Sequence, residues 1–497
     1  MKDNDDIKTD AAHRAAGAPI AEAMQAYARA GALAFHTPGH KQGLGAHELL
    51  RRLITPEGLR EEVSLMEELD DLGSPTGCIR EAEQLAAELY GADAAYFMIN
   101  GTTGAIHTML MAALAPGDVV LVPRNAHRSI IGGLVLCGAR PVYMQPEVDE
   151  RLGIAMGIAP DAVRQALADH PEARAVVLVY PTYYGVTVDI AAIAELVHAA
   201  GPEKLLLVDE AHGPHLPFSD SLPVEALAAG ADMAATSTHK LLGSLTQTSM
   251  LLARADRVSL ERVQQAAALL QSTSPNQLLL ASLDIARLQM QEQGRELVGR
   301  AVELAAELRH HINEIPGLWS PDSDCMDSPG ASGLDVTKVT VNVRGLGLSG
   351  AEAEHILRYE YLIECELSDA YNVLFIISYA DTARQTGRLL TVLQDMAKRY
   401  RRTAAEPLSV VMPPLPDTVL TPREAYYAAT EKVPFAAAAG RVAAEQIMFY
   451  PPGIPLIVPG DRITQAQLDD IREQQAIGLK VVGPADTGLD TIQVTRD

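Results

Sequence analysis

The sequence predicts an α/β protein whose large domain is built on a mainly parallel β-sheet. From residue 94 onward, apolar runs of about four to six residues alternate with helical patterns, which is typical of strands buried on both faces of a sheet. Two of these runs end in reactive side chains, at Asp209–His212 and at Ser237–Lys240. Because such sheets bind ligands at the carboxyl ends of their strands, we expect both groups to face one site, with Lys240 as its reactive centre.

Strands and helices follow one another in a regular order through this domain. The predicted strands are Ala94–Met98, Val119–Val122, Pro141–Met144, Ala175–Tyr180, Leu205–Val208, Met233–Ala235 and Ser249–Ala253. The predicted helices begin at Thr103, Arg128 and Pro160 or span Ile190–Ala200 and Val224–Ala229, and a further helical stretch runs from Arg254 through Leu280 to about His311.

The chain divides into four predicted regions. Residues 1–90 form an N-terminal arm, 91–290 the large domain, 291–405 a small α+β domain and 406–497 a C-terminal domain. The first ten residues are expected to be disordered. The other predicted elements are helices over Ala15–Ala30 and Cys78–Leu89, small-domain strands around Thr337–Val343 and Val373–Ser378, small-domain helices around Glu352 and Thr386, and an extended, proline-rich segment at Tyr450–Pro455.

Composition narrows the range of partners. The 497 residues include 64 acidic and 40 basic side chains, which gives a net charge of -24. A field of that sign repels nucleic acid and anionic lipid, so we expect neither partner and favour a small cationic substrate. The four cysteines show neither disulfide nor metal-ligand spacing, and we predict no metal. With no signal peptide and no apolar run of about 18 residues, the sequence predicts a cytoplasmic protein.

Three features near the strand ends suit one kind of ligand. Asn100–Gly104 follows a strand and opens a helix, so its backbone N–H groups either hold a phosphate or form an ordinary helix cap. His127 ends the next strand, where it either stacks on a flat ring or lies on the surface. Asp209 follows four apolar residues and needs a cationic or proton-bearing partner. A ring with a phosphate arm, a nitrogen for Asp209 and an aldehyde for Lys240 is pyridoxal 5'-phosphate.

The stretch Ala235–Ser249 closely resembles the cofactor attachment signature of the prokaryotic ornithine/lysine/arginine decarboxylases, which have the aspartate aminotransferase type of fold. The resemblance covers most of the chain and is closest to the shorter, biosynthetic type. Other matching stretches are Pro38–Lys41, Asn100–Thr103, Asn125–Ser129, Tyr180–Gly185, Asp209–Gly213, Gln271–Pro275 and Tyr450–Pro455.

The resemblance implies a role for each candidate residue. Lys240 would bind the cofactor covalently, Asp209 would pair with the ring nitrogen, and His127 would stack on the ring. Ser274, in the stretch Ser272–Ser274, would reach the phosphate of a neighbouring subunit, which implies a homodimer or a higher even oligomer with shared active sites. The remaining cofactor-binding candidates are Thr102, Thr103, Gly104, Ala211, His212, Ser237 and His239.

The implied reaction is decarboxylation of a basic amino acid. The short type favours L-arginine, with agmatine as product and polyamine biosynthesis as pathway, while lysine and ornithine remain open. Glu366 or Glu445 would bind the distal cation of the substrate. Either Lys240 or His212 would return a proton to the α-carbon, and the sequence does not distinguish between these two.

Three alternatives remain at this stage. Gly345–Gly350 fits a dinucleotide-binding glycine motif, but no doubly wound sheet surrounds it and Ser349 can cap a helix from Ala351. A pyridoxal-phosphate aminotransferase or aldolase would share Lys240 and Asp209, although Arg344 and Arg358 lie in no recognisable carboxylate-binding motif. A binding protein without activity would have no use for the lysine.

Overall fold

A computed structural model describes residues 17–401, 414–449 and 453–496 of the chain. The predictions for the first ten residues and for Tyr450–Pro452 lie outside these ranges. Within the described residues, no helix combines the length and apolar character that a membrane crossing requires.

Helices and strands alternate through most of the described chain. The helices are α1 Pro19–Ala30, α2 Glu48–Leu53, α3 Pro56–Glu61, α4 Cys78–Leu89, α5 Gly101–Ala113, α6 Arg128–Cys137, α7 Pro160–Asp169, α8 Ile190–Ala199, α9 Thr238–Leu241, α10 Leu260–Leu270, α11 Gln277–Asn313, α12 Gly350–Tyr361, α13 Ala383–Arg399, α14 Pro422–Tyr427 and α15 Gln465–Ala476. The strands are β1 Ala94–Met98, β2 Val119–Pro123, β3 Arg140–Met144, β4 Val148–Asp149, β5 Ile154–Ala155, β6 Ala175–Val179, β7 Val186–Thr187, β8 Leu205–Asp209, β9 Met233–Thr236, β10 Ser249–Ala253, β11 Gly333–Leu334, β12 Lys338–Asn342, β13 Leu367–Ser368, β14 Asn372–Ile376, β15 Thr430–Pro434, β16 Ile447–Phe449, β17 Ile454–Ile457, β18 Val481–Val482 and β19 Thr491–Thr495.

The large sheet contains seven strands in the order β1-β10-β9-β8-β6-β2-β3. Strand β10 is antiparallel to both of its neighbours, whereas the remaining adjacent pairs are parallel. Strands β1, β2, β8, β9 and β10 are buried along their whole length, because helices cover both faces of the sheet. The predicted α/β class with a mainly parallel sheet is therefore confirmed.

The N-terminal arm packs onto the long helix α11 as part of the large core. Helix α1 buries Ile20 and Met24, and the N–H of Ile20 donates to Asp284 Oδ2 on α11 over 3.0 Å. Asp284 in turn accepts from Arg287 over 2.6 Å, and both side chains are fully buried. A buried ion pair thus fixes the point at which the arm meets the core.

The small domain is built on a three-stranded antiparallel sheet in the order β12-β14-β13. Its apolar core also takes residues from α12, α13 and the last turns of α11, so α11 belongs to both cores. The glycine motif at residues 345–350 is a helix entry. Ser349 caps α12 with Glu352 in a capping box, and Gly350 lies close to the backbone of Asn372.

Two predicted elements differ in the structure. Residues 224–229 form an irregular segment and a turn in place of the helix, because the Ala226 N–H donates to the Glu210 carboxylate over 2.8 Å and the Val224 carbonyl accepts from the Tyr180 hydroxyl over 2.6 Å. So short a segment has little tendency to nucleate a helix against such partners. The helix predicted from Arg254 begins at Leu260, where Ser259 caps it, and it ends before the break at residues 271–276.

The C-terminal residues dock on the large domain through a buried charge pair. Arg124 donates to Asp461 over 2.7 Å and to the Leu456 carbonyl over 3.0 Å. The N–H of Arg128 donates to the Gly453 carbonyl over 3.2 Å. These contacts hold β17 against the loop that follows β2. The domain boundaries given above remain a prediction.

A glycine substitution tests the close approach in the small domain. A Cβ at Gly350 would lie 2.2 Å from the Asn372 carbonyl oxygen and 2.3 Å from that of Asp369, whereas a Cβ at Gly387, on the exposed face of α13, meets nothing within 4 Å. We expect Gly350→Ala to lower the free energy of unfolding by about 1–3 kcal/mol. Gly387→Ala should leave it unchanged or raise it by up to about 1 kcal/mol. Urea unfolding of both variants checks this, and equal stabilities would contradict so close an approach at Gly350.

Candidate active site

A cavity of about 400 Å³ opens at the carboxyl edge of the large sheet. Most of the predicted site residues lie in its wall, because β2, β8 and β9 all end there. Its lining residues are Gly101, Thr102, Thr103, Ile106, His127, Ser129, Val179, Pro181, Tyr183, Asp209, Ala211, His212, Ser237, His239, Lys240, Thr246 and Gln247.

Lys240 lies on the single-turn helix α9, directly after β9. Its Nζ lies 2.9 Å from His212 Nε2 and 5.2 Å from the centre of the Tyr183 ring. Burial lowers the pKa of Lys240, and the negative charge of Asp209 only partly opposes that shift. A lysine amine with a lowered pKa is a nucleophile suited to a carbonyl carbon.

Asp209 ends β8 next to Ala235 of β9, so the sheet register brings it to the same cavity as Lys240. Its Oδ1 accepts from the Ala211 N–H over 3.2 Å. Burial raises the pKa of Asp209 to about 6, while the charge of Lys240 and the Ala211 hydrogen bond act in the opposite direction. A protonated ring nitrogen beside this carboxylate would stabilise its charged form.

One end of the cavity is built for an anion. Helix α5 begins at Gly101 with a left-handed φ of +75°, and its first turn presents Thr102 and Thr103 to the cavity. The first N–H groups of a helix lack partners within the helix and carry partial positive charge. The Thr102 hydroxyl is hydrogen-bonded to Ser237 and lies 3.0 Å from Ser249 Oγ.

Gly104 has a packing role in the same turn and does not line the cavity. A Cβ at this position would lie 1.9 Å from Asn100 Oδ1, so a side chain would displace Asn100, the N-cap residue of the helix. We therefore expect its contribution to ligand binding to be indirect.

Two imidazoles of the cavity are held in defined orientations. His239 Nδ1 lies 2.7 Å from the Thr248 carbonyl oxygen, so this nitrogen carries the proton and Nε2 is left to face a ligand. His127 Nδ1 accepts from the Ser129 N–H over 3.2 Å. Burial lowers the pKa of His127 to about 4, and the Lys240 charge adds to this effect. The His127 ring is therefore neutral at neutral pH, which suits stacking on an aromatic ring.

Sequence analysis did not single out Tyr183, although it lies in the cavity wall. Its ring lies 4.6 Å from the His212 ring, centre to centre, so it covers His212 as well as Lys240. Burial holds the pKa of His212 well below its ordinary value. Tyr183 could have been identified from the sequence, because the Tyr180–Gly185 turn follows β6 and reaches the same edge of the sheet as the other strand ends.

Besides Gly104, three predicted residues lie outside this cavity. Ser274 is exposed on the loop before α11, where its N–H donates to Ser272 Oγ. Glu445 accepts backbone N–H bonds from Ala485 over 2.8 Å and Gln493 over 2.7 Å. Glu366 is exposed in a neighbouring small-domain cleft, and its charge raises the pKa of both Lys240 and His239 against the larger effect of burial.

The cavity fits pyridoxal phosphate in each of its chemical parts. A helix N-terminus with the hydroxyls of Thr102 and Ser237 suits the phosphate. The buried Asp209 suits the ring nitrogen, the neutral His127 suits the ring face, and the amine of Lys240 suits the aldehyde. The residues present therefore form a coherent donor set for this cofactor.

Comparison with known proteins shows that two family models match separate stretches of this chain. Residues 18–329 match Orn/Lys/Arg decarboxylase, major domain, and residues 406–478 match Orn/Lys/Arg decarboxylase, C-terminal domain. The arginine decarboxylase of Halalkalibacterium halodurans is 44% identical over 96% of this chain and 98% of its own length. That of Bacillus subtilis is 42% identical over 96% and 98%. The structure of the Francisella novicida lysine decarboxylase LdcF has a TM-score of 0.82 at 24% identity, covering 96% of this chain and 81% of that one, which shows the shared fold.

Reductive trapping tests the position of the reactive amine. Protein loaded with pyridoxal phosphate should absorb visible light, and borohydride should abolish that absorption and fix the cofactor to the peptide that contains Lys240. Lys240→Ala should keep the unfolding midpoint and lose the label. Lys398 is exposed, so Lys398→Ala serves as the control and should label normally. Lys338 is fully buried, which makes Lys338→Ala unsuitable as a control. Label on another lysine of the wild-type protein would refute the assignment.

Proposed function

The chain belongs to the ornithine/lysine/arginine decarboxylase family, and on that premise we propose that it converts L-arginine to agmatine and carbon dioxide. It is a pyridoxal-phosphate-dependent decarboxylase of a basic amino acid. The observation that carries the choice of arginine is the end-to-end similarity to proteins named arginine decarboxylase. Agmatine formation would assign the enzyme to polyamine biosynthesis.

In this proposal, each residue of the cavity has a separate role toward the cofactor. Pyridoxal phosphate, when bound, supplies an electron sink for the negative charge that develops on the α-carbon as carbon dioxide leaves. Asp209 keeps a proton on the ring nitrogen, and its burial makes that ionic contact strong because little water competes. His127 supports the ring face. Thr102 and Ser237 hold the phosphate with the N-terminus of α5.

The pair formed by Lys240 and His212 is proposed to handle the proton that reaches the α-carbon. The two nitrogens lie 2.9 Å apart, and burial lowers the pKa of both groups. The two nitrogens are thus within hydrogen-bond distance, and a proton can pass directly between them. The ring of Tyr183 covers this pair and limits the access of water to it. Either nitrogen can deliver the proton.

We assign the distal cation of the substrate to one of two acidic side chains outside the cavity. Glu366 is the first candidate, because its charge already acts on Lys240 and His239. Glu445 is the second, and its carboxylate is oriented by the backbone N–H groups of Ala485 and Gln493. A guanidinium group pairs with a carboxylate through two parallel hydrogen bonds, which gives arginine an advantage over a primary amine.

A homodimer with shared active sites is part of the proposal. Leu33, Phe35, Leu44 and Leu53 of the N-terminal arm are each at least 83% exposed in the isolated chain. Several large apolar side chains exposed on one segment are typical of a protein interface. The loop that bears Ser274 is also exposed, so its hydroxyls are available to a second copy.

All four cysteines are unpaired, which supports a reducing, cytoplasmic location.

Product identification tests the choice of substrate. The loaded enzyme is incubated separately with L-arginine, L-lysine and L-ornithine, and the amines are identified by mass spectrometry. We expect agmatine to form at a kcat/KM at least about tenfold above that for the other two products, because the missing second hydrogen bond costs about 1.4 kcal/mol. Lys240→Ala should form none of the three amines. Cadaverine or putrescine as the main product would overturn the arginine proposal and leave the family assignment intact.

A complementation experiment tests the shared site. Loss of one hydroxyl contact to a charged phosphate should weaken cofactor binding by about ten- to a hundredfold in Ser274→Ala, while Ser221→Ala, in an exposed loop away from the cavity, should bind normally. In hybrids of Ser274→Ala with Lys240→Ala, one of the two sites would combine Lys240 with an intact Ser274 from the other chain. That site should regain normal affinity. Uniformly weak hybrids, or a fully active monomer, would defeat the proposal.

A further inference from the structure

Three buried side chains, His215, Asp335 and Lys338, form a charged cluster beside the candidate active site. Lys338 Nζ donates to Asp335 Oδ2 over 2.9 Å, and His215 Nε2 lies 3.2 Å from the same oxygen. The Lys338 and Asp335 side chains are fully buried, and that of His215 is 4% exposed. Charges are rarely buried so completely unless they are paired. The pairing of Lys338 with Asp335 therefore offsets the cost of burying both charges.

The hydrogen bonds of the cluster define where its protons lie. The Thr337 hydroxyl donates to Asp335 Oδ1 over 2.6 Å, so its oxygen is left to accept from His215 Nε2 at 3.2 Å. His215 Nε2 therefore carries a proton. Lys338 supplies the positive charge that balances Asp335, and a neutral His215 completes the set of hydrogen bonds.

The cluster joins the active-site loop to the entry of the small domain. His215 follows His212 by three residues in the loop after β8. Asp335 follows β11, which pairs with β7, and Lys338 is the first residue of β12 in the small-domain sheet. The Asp335 N–H also donates to the Gly185 carbonyl over 2.7 Å, at the end of the turn that bears Tyr183. One segment thus holds both the His212 loop and the Tyr183 turn.

Gly185 shows how closely these parts approach one another. Its φ is +84°, and a Cβ there would lie 2.8 Å from the Asp335 carbonyl oxygen and 2.9 Å from Lys338 Cβ. The backbone of the Tyr183 turn therefore contacts the cluster directly. A shift of Asp335 or Lys338 would be transmitted to the cavity wall.

The charges around the two loop imidazoles come from few groups. His212 is faced by Lys240, Lys338, Asp335 and His215, while His215 is faced by Asp335 and Lys338. Burial lowers the pKa of both imidazoles, and Lys338 adds to this effect while Asp335 opposes it. Although burial alone raises the pKa of Asp335, the charge of Lys338 and the hydrogen bonds from His215 and Thr337 hold it well below its ordinary value. Asp335 is therefore ionised at neutral pH and cannot serve as a proton donor.

We propose that Lys338 and Asp335 are positioning residues that anchor the His212 loop, and that Lys338 supplies the positive charge which Asp335 would otherwise draw onto an imidazole of that loop. His212 then meets Lys240 as a neutral group in a fixed orientation. The inference deepens the proposed function, since it concerns the pair that handles the proton at the α-carbon. Its first readout, the titration of His215, does not depend on which amino acid is the substrate.

Lys338→Met is the direct test, because it keeps the length of the side chain and removes its charge. Asp335 should then draw a proton onto His215, whose titration midpoint should rise by about one to two pH units. The midpoint is measured by hydrogen–deuterium exchange at the imidazole C2 position, resolved by mass spectrometry. In the loaded enzyme, kcat should change about tenfold across the same pH, with KM nearly constant, whereas the wild-type profile should show no such step.

A second buried pair provides a matched control. Asp284 and Arg287 have the same three-residue spacing and the same full burial in α11, and they contact the N-terminal arm instead of the cavity. Arg287→Met should, like Lys338→Met, lower the unfolding midpoint, and it should leave both the His215 titration and the kcat profile unchanged. If His215 does not shift in Lys338→Met, or if it shifts without a step in kcat, the cluster has only a structural role and the proposal is overturned.

A double variant keeps the test decisive if Lys338→Met does not fold. Asp335→Asn combined with Lys338→Met removes both charges, and replacing a whole buried pair is tolerated better than breaking it. We expect the double variant to fold, to keep His215 neutral and to recover the wild-type shape of the kcat profile to within about threefold. A folded double variant that has lost more than about tenfold in kcat would show that the charges act in another way, and would refute the proposal.

Discussion

The parallel pairing of β8 with β9 is the constraint on which the site depends. Its register sets Asp209 beside Ala235, two residues before Ser237, so a carboxylate and the Lys240 helix emerge at one edge. The strands themselves are fully buried and contain almost no polar side chains, which leaves their ends as the place where charged groups meet a cavity. The ends of β1, β2 and β6 bring Thr102, His127 and Tyr183 to the same edge.

The strand ends that form the site could be predicted from the sequence, because short apolar runs mark them locally. The charged cluster of His215, Asp335 and Lys338 could not be predicted. Apolar runs bounded by polar residues marked the strands and placed Lys240 and Asp209 at their ends. The turn at residues 224–229 was missed because side chains from other parts of the chain bind its backbone groups. Asp335 and Lys338 lie at a predicted strand start, where polar residues are usually exposed. Only the fold buries them at a domain junction, and local periodicity carries no signal of that burial.

The C-terminal residues act on the cavity through the loop after β2. Arg124 is held by Asp461 and stacks over the Tyr143 ring at 4.9 Å, and His127 follows three residues later. On the other side of His127, the Arg128 N–H donates to the Gly453 carbonyl. The imidazole that faces the cavity is therefore fixed from both sides by residues of the C-terminal part. This explains physically why a distant segment belongs to the same functional unit.

Local burial, and not the net charge of the chain, determines the protonation of the site. A net charge of -24 on its own would raise the pKa of lysine and histidine everywhere. Yet the pKa values of Lys240, His127, His212 and His239 are all lowered, with burial as the largest cause in each case. The acidic surface thus acts at long range, where it attracts a cation, while burial in the cavity wall strengthens each short-range contact that its side chains would make with cofactor and substrate.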